Sequence, residues 1–215
     1  IYGIAVHAAL QDLFEQEEKS KEYAVERFIA HLAEHMITPK EAMQIQKRGE
    51  AALKGYVDAY RNDWEEEVIN EAVISEVLLD DIRLTGKIDK IEILNGGPDI
   101  NVVDYKTRKP LSRNEIEGKT KSSNGNYKRQ LVFYKLLVDK FWEGTYHMVS
   151  GELDFIEPTT SGAYRKEKFA IDQVEVEELK DLIVQTVQEI RELSFWNTRC
   201  QNRACEYCSL RSFIQ

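Results

Sequence analysis

The chain has 215 residues, 42% hydrophobic and 31% charged, with 29 basic against 38 acidic side chains. That length and apolar content suit one domain with a real core and exclude global disorder, while the formal charge of −9 excludes a generic nucleic-acid binder held by overall charge. No apolar run reaches the roughly 18–20 residues of a membrane span and no secretory pattern opens the sequence. No membrane partner is therefore expected, and the expected location is cytoplasmic. Ile1 stands where an initiator methionine would, which suggests a piece of a longer polypeptide.

Helical spacing of Ile4, His7, Leu10 and Leu13/Phe14 predicts a first helix, and Tyr23, Phe28 and Leu32 a second. Thr38-Pro39-Lys40-Glu41 combines an N-cap, a proline at the first helical position and a capping-box glutamate, opening a helix to about Arg61. Strand character follows at Val68 to Leu79, Arg83 to Leu94 and Ile100 to Thr107. Arg108 to Asn126 is polar and basic and reads as a long mobile loop kept for binding or gating. Tyr127 to Phe141 is helical, and Thr145 to Ile156 and Tyr164 to Ile171 read as two further strands. Asp172 and Glu175 form another capping box, opening a helix through Val176, Leu179, Ile183, Val187, Ile190 and Leu193. The expected fold class is α/β: a helical part over 1–62, a mixed central sheet flanked by helices over 63–171, and a helix with a cysteine-bearing tail over 172–215.

The chemistry concentrates where Gly86-Lys-Ile-Asp-Lys-Ile91 meets Val102-Val-Asp-Tyr-Lys-Thr107 across Asn95-Gly-Gly-Pro98. Pairing Leu94 with Asp99 gives a four-residue hairpin loop and sets Ile93 opposite Ile100, Ile91 opposite Val102, and Asp89 opposite Asp104. Directly opposed carboxylates sit about 4.5–5.5 Å apart at Cβ and repel, which a divalent cation between them would relieve. Lys106 points to the same face as Asp104. Asp99 lies at an odd offset from Asp104, hence on the other face and roughly 16 Å away along the strand. Two acids and an amine on one face outline a metal-dependent phosphodiester-cleaving site, and oxygen ligands suit magnesium or manganese. Between Val103 and Arg129 eight basic residues stand against three acidic ones, with Arg108, Lys109, Lys119 and Lys121 the candidate phosphate contacts.

Gly86-Lys-Ile-Asp89, Val103-Asp-Tyr-Lys-Thr107 and Gln130-Leu-Val-Phe-Tyr134, preceded by Gly3-Ile-Ala-Val-His7, resemble in order the motifs of RecB-like nucleases of the PD-(D/E)XK superfamily. The resemblance covers nearly the whole chain. It implies a restriction-endonuclease-like core and a DNA nuclease, often an exonuclease, fused to or working with a helicase in repair or recombination. By position it implies His7, Asp89 and Asp104 as metal ligands, the carbonyl of Tyr105 completing the shell, and Lys106 as the catalytic lysine. Gln130 and Tyr134 match a Gln-x-x-x-Tyr motif that supports the site and contacts DNA; at i and i+4 they share a helix face. His7 falls on the apolar stripe of its helix, where a lone histidine is ordinarily a core residue, and the motif is what marks it as a ligand. Glu71 and Glu76 compete for a further acidic position, which stays open.

Some relatives in that family hold an iron–sulfur cluster through one upstream and three C-terminal cysteines. Cys200, Cys205 and Cys208 supply three thiols, with neither the upstream partner nor a later cysteine in the sequence. Three thiolates need help to hold a metal, so the cysteines are expected to be inert here. Two other readings stay open: a catalytically silent module that binds DNA or a protein, and a CRISPR-associated exonuclease.

Overall fold

A computed structural model describes residues 1–142, 144–202 and 205–211. Three helices come first: α1 (Tyr2–Phe14), α2 (Lys21–Ala33) and α3 (Pro39–Tyr60). The Ser20 side chain accepts from the Tyr23 N–H at the start of α2, and Thr38 and Glu41 close the expected capping box on α3. In α1 the fully buried residues are Ala5, Val6, Ala9, Leu10 and Leu13, whereas Ile4 is exposed. The stripe expected to carry both Ile4 and His7 is therefore displaced. Helical spacing puts those two one turn apart on the flank facing a cleft, beside the buried face rather than within it.

Among the described residues the sheet has five strands in sequence order: β1 (Val68–Leu79), β2 (Ile82–Ile93), β3 (Asp99–Lys106), β4 (His147–Phe155) and β5 (Arg165–Phe169). Of these pairs only β3 and β4 run parallel, so the sheet is mixed. Parallel neighbours need a crossover, which α4 (Arg113–Ile116) and α5 (Asn126–Phe141) supply. Next come α6 (Gln173–Glu192), capped by Asp172 and Glu175, and a short α7 (Glu206–Arg211). The core lies in two layers. Residues of α5, α6 and one sheet face, including Ile91 and Val102, form one; α1 to α3 pack with Val103 and Tyr105 from the other.

Two glycines near the site stand against close neighbours. A Cβ on Gly86 of β2 would be driven into Leu137 Cδ1 of α5, and one on Gly3 would sit 3.0 Å from Thr107 Oγ1. The first lets α5 lie close on the sheet; the second lets the start of α1 close over the end of β3, bringing His7 within reach of β2.

The β2–β3 ladder has the expected register at Ile93↔Ile100 and Ile91↔Val102, and its pairs end at Lys90↔Val103, one step short of Asp89 and Asp104. The segment from Arg108 to Asn126 is not simply a loop. Ser112 and Glu115 form a capping box on α4, and Ile116 is fully buried. One apolar anchor and one cap tie the basic stretch to the core.

The β1–β2 ladder contains a bulge. Its pairs run Leu79↔Ile82 to Val77↔Leu84, then resume at Ile74↔Gly86, so Ser75 and Glu76 together oppose Thr85. The Thr85 hydroxyl donates to the Ile74 carbonyl at 3.0 Å, and Glu76 takes a φ of 60°. Beyond the bulge, Asn70↔Lys90 and Ala72↔Ile88 place Glu71 across from Asp89.

Candidate active site

Asp104, Lys106, Gln130 and Tyr134 close a ring. The Tyr134 hydroxyl donates to Asp104 Oδ1 at 2.9 Å and receives a bond from Gln130 Nε2 at 2.9 Å. Lys106 Nζ donates to Gln130 Oε1 at 2.7 Å and lies 2.6 Å from Asp104 Oδ2. Strand alternation puts Asp104 and Lys106 on the face that α5 covers, and the i, i+4 spacing on α5 brings Gln130 and Tyr134 down beside them. The Lys106 ammonium also sits 4.7 Å from the centre of the Tyr127 ring, whose hydroxyl accepts from Arg108 at 3.0 Å. Burial raises the Asp104 pKa; the Lys106 charge opposes this, and the Asp89 charge adds to it.

A second group adjoins the first. His7 Nδ1 lies 3.3 Å from Asp89 Oδ1, and Asp89 Oδ2 accepts from the Tyr105 backbone N–H at 2.8 Å. The His7 ring meets the Tyr105 ring edge-on, with centroids 5.8 Å apart. One donor atom each from His7, Glu71 and Asp89 lie within 4.8 Å of one another. They line a cavity of about 420 Å³ with Gly3, Ala8 and Lys87. Burial pulls the His7 pKa down, but the hydrogen bond and charge of Asp89, with the charges of Asp104 and Glu71, more than reverse this, so the net shift is upward.

The structure thus divides the residues singled out in the sequence. His7 and Asp89 come together, and Glu71 joins them. Asp104 turns its carboxylate toward Lys106 and Tyr134 instead. The donor chemistry fits a divalent cation: an imidazole and carboxylates converge, and buried Asp104 Oδ2 has no hydrogen bond, only the Lys106 contact. Glu76 takes no part; it is exposed in the bulge and lines a groove with Asp139 and Lys140.

Among the basic candidates, Lys109 and Lys121 are exposed, Lys119 pairs with Glu117 at 2.9 Å, and Arg108 holds Tyr127. The three cysteines come together: their sulfurs lie within 4.8 Å of one another, Cys200 and Cys208 at 3.5 Å. Hydrogen bonds from Cys205 and Cys208 raise the Cys200 pKa, while a backbone hydrogen bond at Cys208 lowers that of Cys205. Three sulfurs remain one short of the four thiolates that hold an iron–sulfur cluster.

Sequence reasoning left Glu71 undecided and missed Lys87 and Tyr127. Counting back from Leu79↔Ile82 without a bulge would set Glu71 opposite Lys90, on the wrong face. Tyr127 had a readable signal in its place three residues before Gln130, which puts it on the same edge of α5.

No curated protein sequence matches the chain. Nine chains of solved structures do. One, described as "Crystal structure of SSO0001", matches at a TM-score of 0.35 and 14% identity over 87% of this chain and 75% of that one. The family model of the PD-(D/E)XK nuclease superfamily matches residues 1–213, and the chain belongs to that superfamily.

Proposed function

We propose that the chain is a metal-dependent deoxyribonuclease of the RecB-like kind, an exonuclease forming the nuclease part of a helicase–nuclease in DNA repair or recombination. The observation that carries this reading is the closed ring of Asp104, Lys106, Gln130 and Tyr134 beside the His7–Asp89 pair. A silent binding module has no use for a lysine fixed so tightly next to buried carboxylates. The histidine helix ahead of the sheet motifs supports the RecB-like assignment within the superfamily.

His7, Asp89, Asp104 and the carbonyl of Tyr105 would hold magnesium or manganese. Such an ion, when bound, activates a water and neutralises charge developing on the scissile phosphate. The chain's own residues do the positioning. Tyr134 keeps Asp104 from swinging away, and Tyr105 steadies both Asp89, through its N–H, and His7, through its ring. Lys106 donates one N–H to Gln130 and sets its charge 2.6 Å from Asp104 Oδ2, which leaves donor capacity for an attacking water or a phosphate oxygen. Arg108, Lys109, Lys119 and Lys121 would grip phosphates along the strand.

The experiment is cleavage of labelled single- and double-stranded DNA with and without EDTA, followed by re-addition of magnesium or manganese. Cleavage that stops with EDTA and returns with metal is expected. Intact DNA under every metal condition would leave only a binding module.

A further inference from the structure

Glu71 reaches the site through the bulge in β1. The extra residue shifts the register by one, which turns Glu71 onto the face of Asp89. Its backbone holds a φ of 52° inside a strand, a left-handed conformation that only a defined surrounding maintains. Its side chain is 12% exposed and pairs closely with the ammonium of Lys87, itself 59% exposed. Lys87, two residues before Asp89, shares its face. Glu71, His7 and Asp89 therefore present three donors of mixed nitrogen and oxygen chemistry, with a largely solvated lysine standing among them.

We propose that Glu71 is a further ligand of the divalent cation, and that Lys87 is the ammonium it gives up when that cation arrives. This rests on the metal-dependent reading above and decides the acidic position that the sequence leaves open between Glu71 and Glu76. An ion pair with a half-exposed lysine is weak, so a doubly charged ion meeting nitrogen and oxygen donors displaces it. Lys87 keeps its proton, moves away from the carboxylate, and becomes available to a phosphate oxygen at the rim of the cavity. Without metal it neutralises Glu71 and so limits repulsion between two neighbouring carboxylates.

The test is manganese binding to the full chain without DNA, followed by calorimetry or by loss of the free-ion electron-spin signal. Glu71→Gln should weaken binding about tenfold or more. Glu76→Gln should bind as the wild type does. Lys87→Met, which removes a competing cation, should bind about threefold more tightly. Melting in EDTA within a few degrees of wild type confirms that the variants fold. Wild-type affinity in Glu71→Gln would reduce Glu71 to a cross-strand partner of Lys87 while leaving the His7–Asp89–Asp104 centre standing. Weakened binding in Lys87→Met would overturn the exchange. If the wild type takes up no manganese, the metal centre itself fails, and Glu71 with it.

Discussion

Lys106 is held by Gln130 and Asp104 at once, so its role in chemistry separates from any role in binding metal. Lys106→Ala should abolish cleavage, with a loss of about a hundredfold or more, while manganese affinity stays the same or rises because a nearby cation has gone. Parallel rate and binding measurements check this, and a parallel fall in both would make Lys106 a structural prop. Gln130→Met removes one anchor and leaves the lysine. It should cost less, about tenfold, and mainly in the rate. At this scale part was legible: the hairpin register holds from Ile93↔Ile100 to Lys90↔Val103, and strand alternation puts Lys106 beside Asp104. What strand alternation cannot give is the direction of each carboxylate. Asp104 turns toward α5 because Tyr134 and Lys106 wait there, and only the crossover helix brings the tyrosine.

The elements formed largely where periodicity and caps placed them, because Thr38-Glu41 and Asp172-Glu175 act locally and need no tertiary partner. The same device at Ser112-Glu115 opens only the four-residue α4, too short to show an apolar period amid the basic residues. The bulge in β1 was unreadable, since its register depends on Gly86 and Ile74 meeting across the sheet. Close packing of α5 on β2 makes Gly86 sensitive. Gly86→Ala should force Leu137 aside at a cost of about 1–3 kcal/mol, seen as a lower denaturant midpoint with unchanged slope. Helices α1 and α2 are joined by Asp12, whose carboxylate lies 2.5 Å from Arg27 Nε and 2.7 Å from His31 Nε2. Burial works against the charge, but the bonds from Arg27 and His31 prevail and hold its pKa below the usual carboxylate value. A depressed carboxylate stabilises the fold above its unfolded pKa, and that contribution is lost as pH falls through the folded value. Asp12→Asn should therefore melt lower than wild type at neutral pH, with the gap closing in acid below the ordinary carboxylate range. A gap independent of pH would mean that packing, not charge, joins the two helices.

Across the whole molecule, an acidic chain carries its local basic excess beside the ring of site residues, so DNA attraction has to be local. Neutralising Arg108, Lys109, Lys119 and Lys121 together should weaken binding to every DNA sequence and flatten its dependence on salt. An unchanged salt slope would make the segment a solvated face. Among the described residues, no helix is long and apolar enough to cross a membrane. The two core layers place α1 on one side of the sheet and α5 on the other, and the site forms where both reach the ends of β2 and β3. Metal-dependent DNA hydrolysis at that junction is tested most directly by Asp104→Asn. The substitution preserves shape and the bond from Tyr134 but removes one negative charge. Cleavage of labelled DNA in saturating magnesium or manganese should fall at least a hundredfold. Metal-free stability should hold or rise, because charge on this buried carboxylate is a net cost. Cleavage at the wild-type rate would contradict the account.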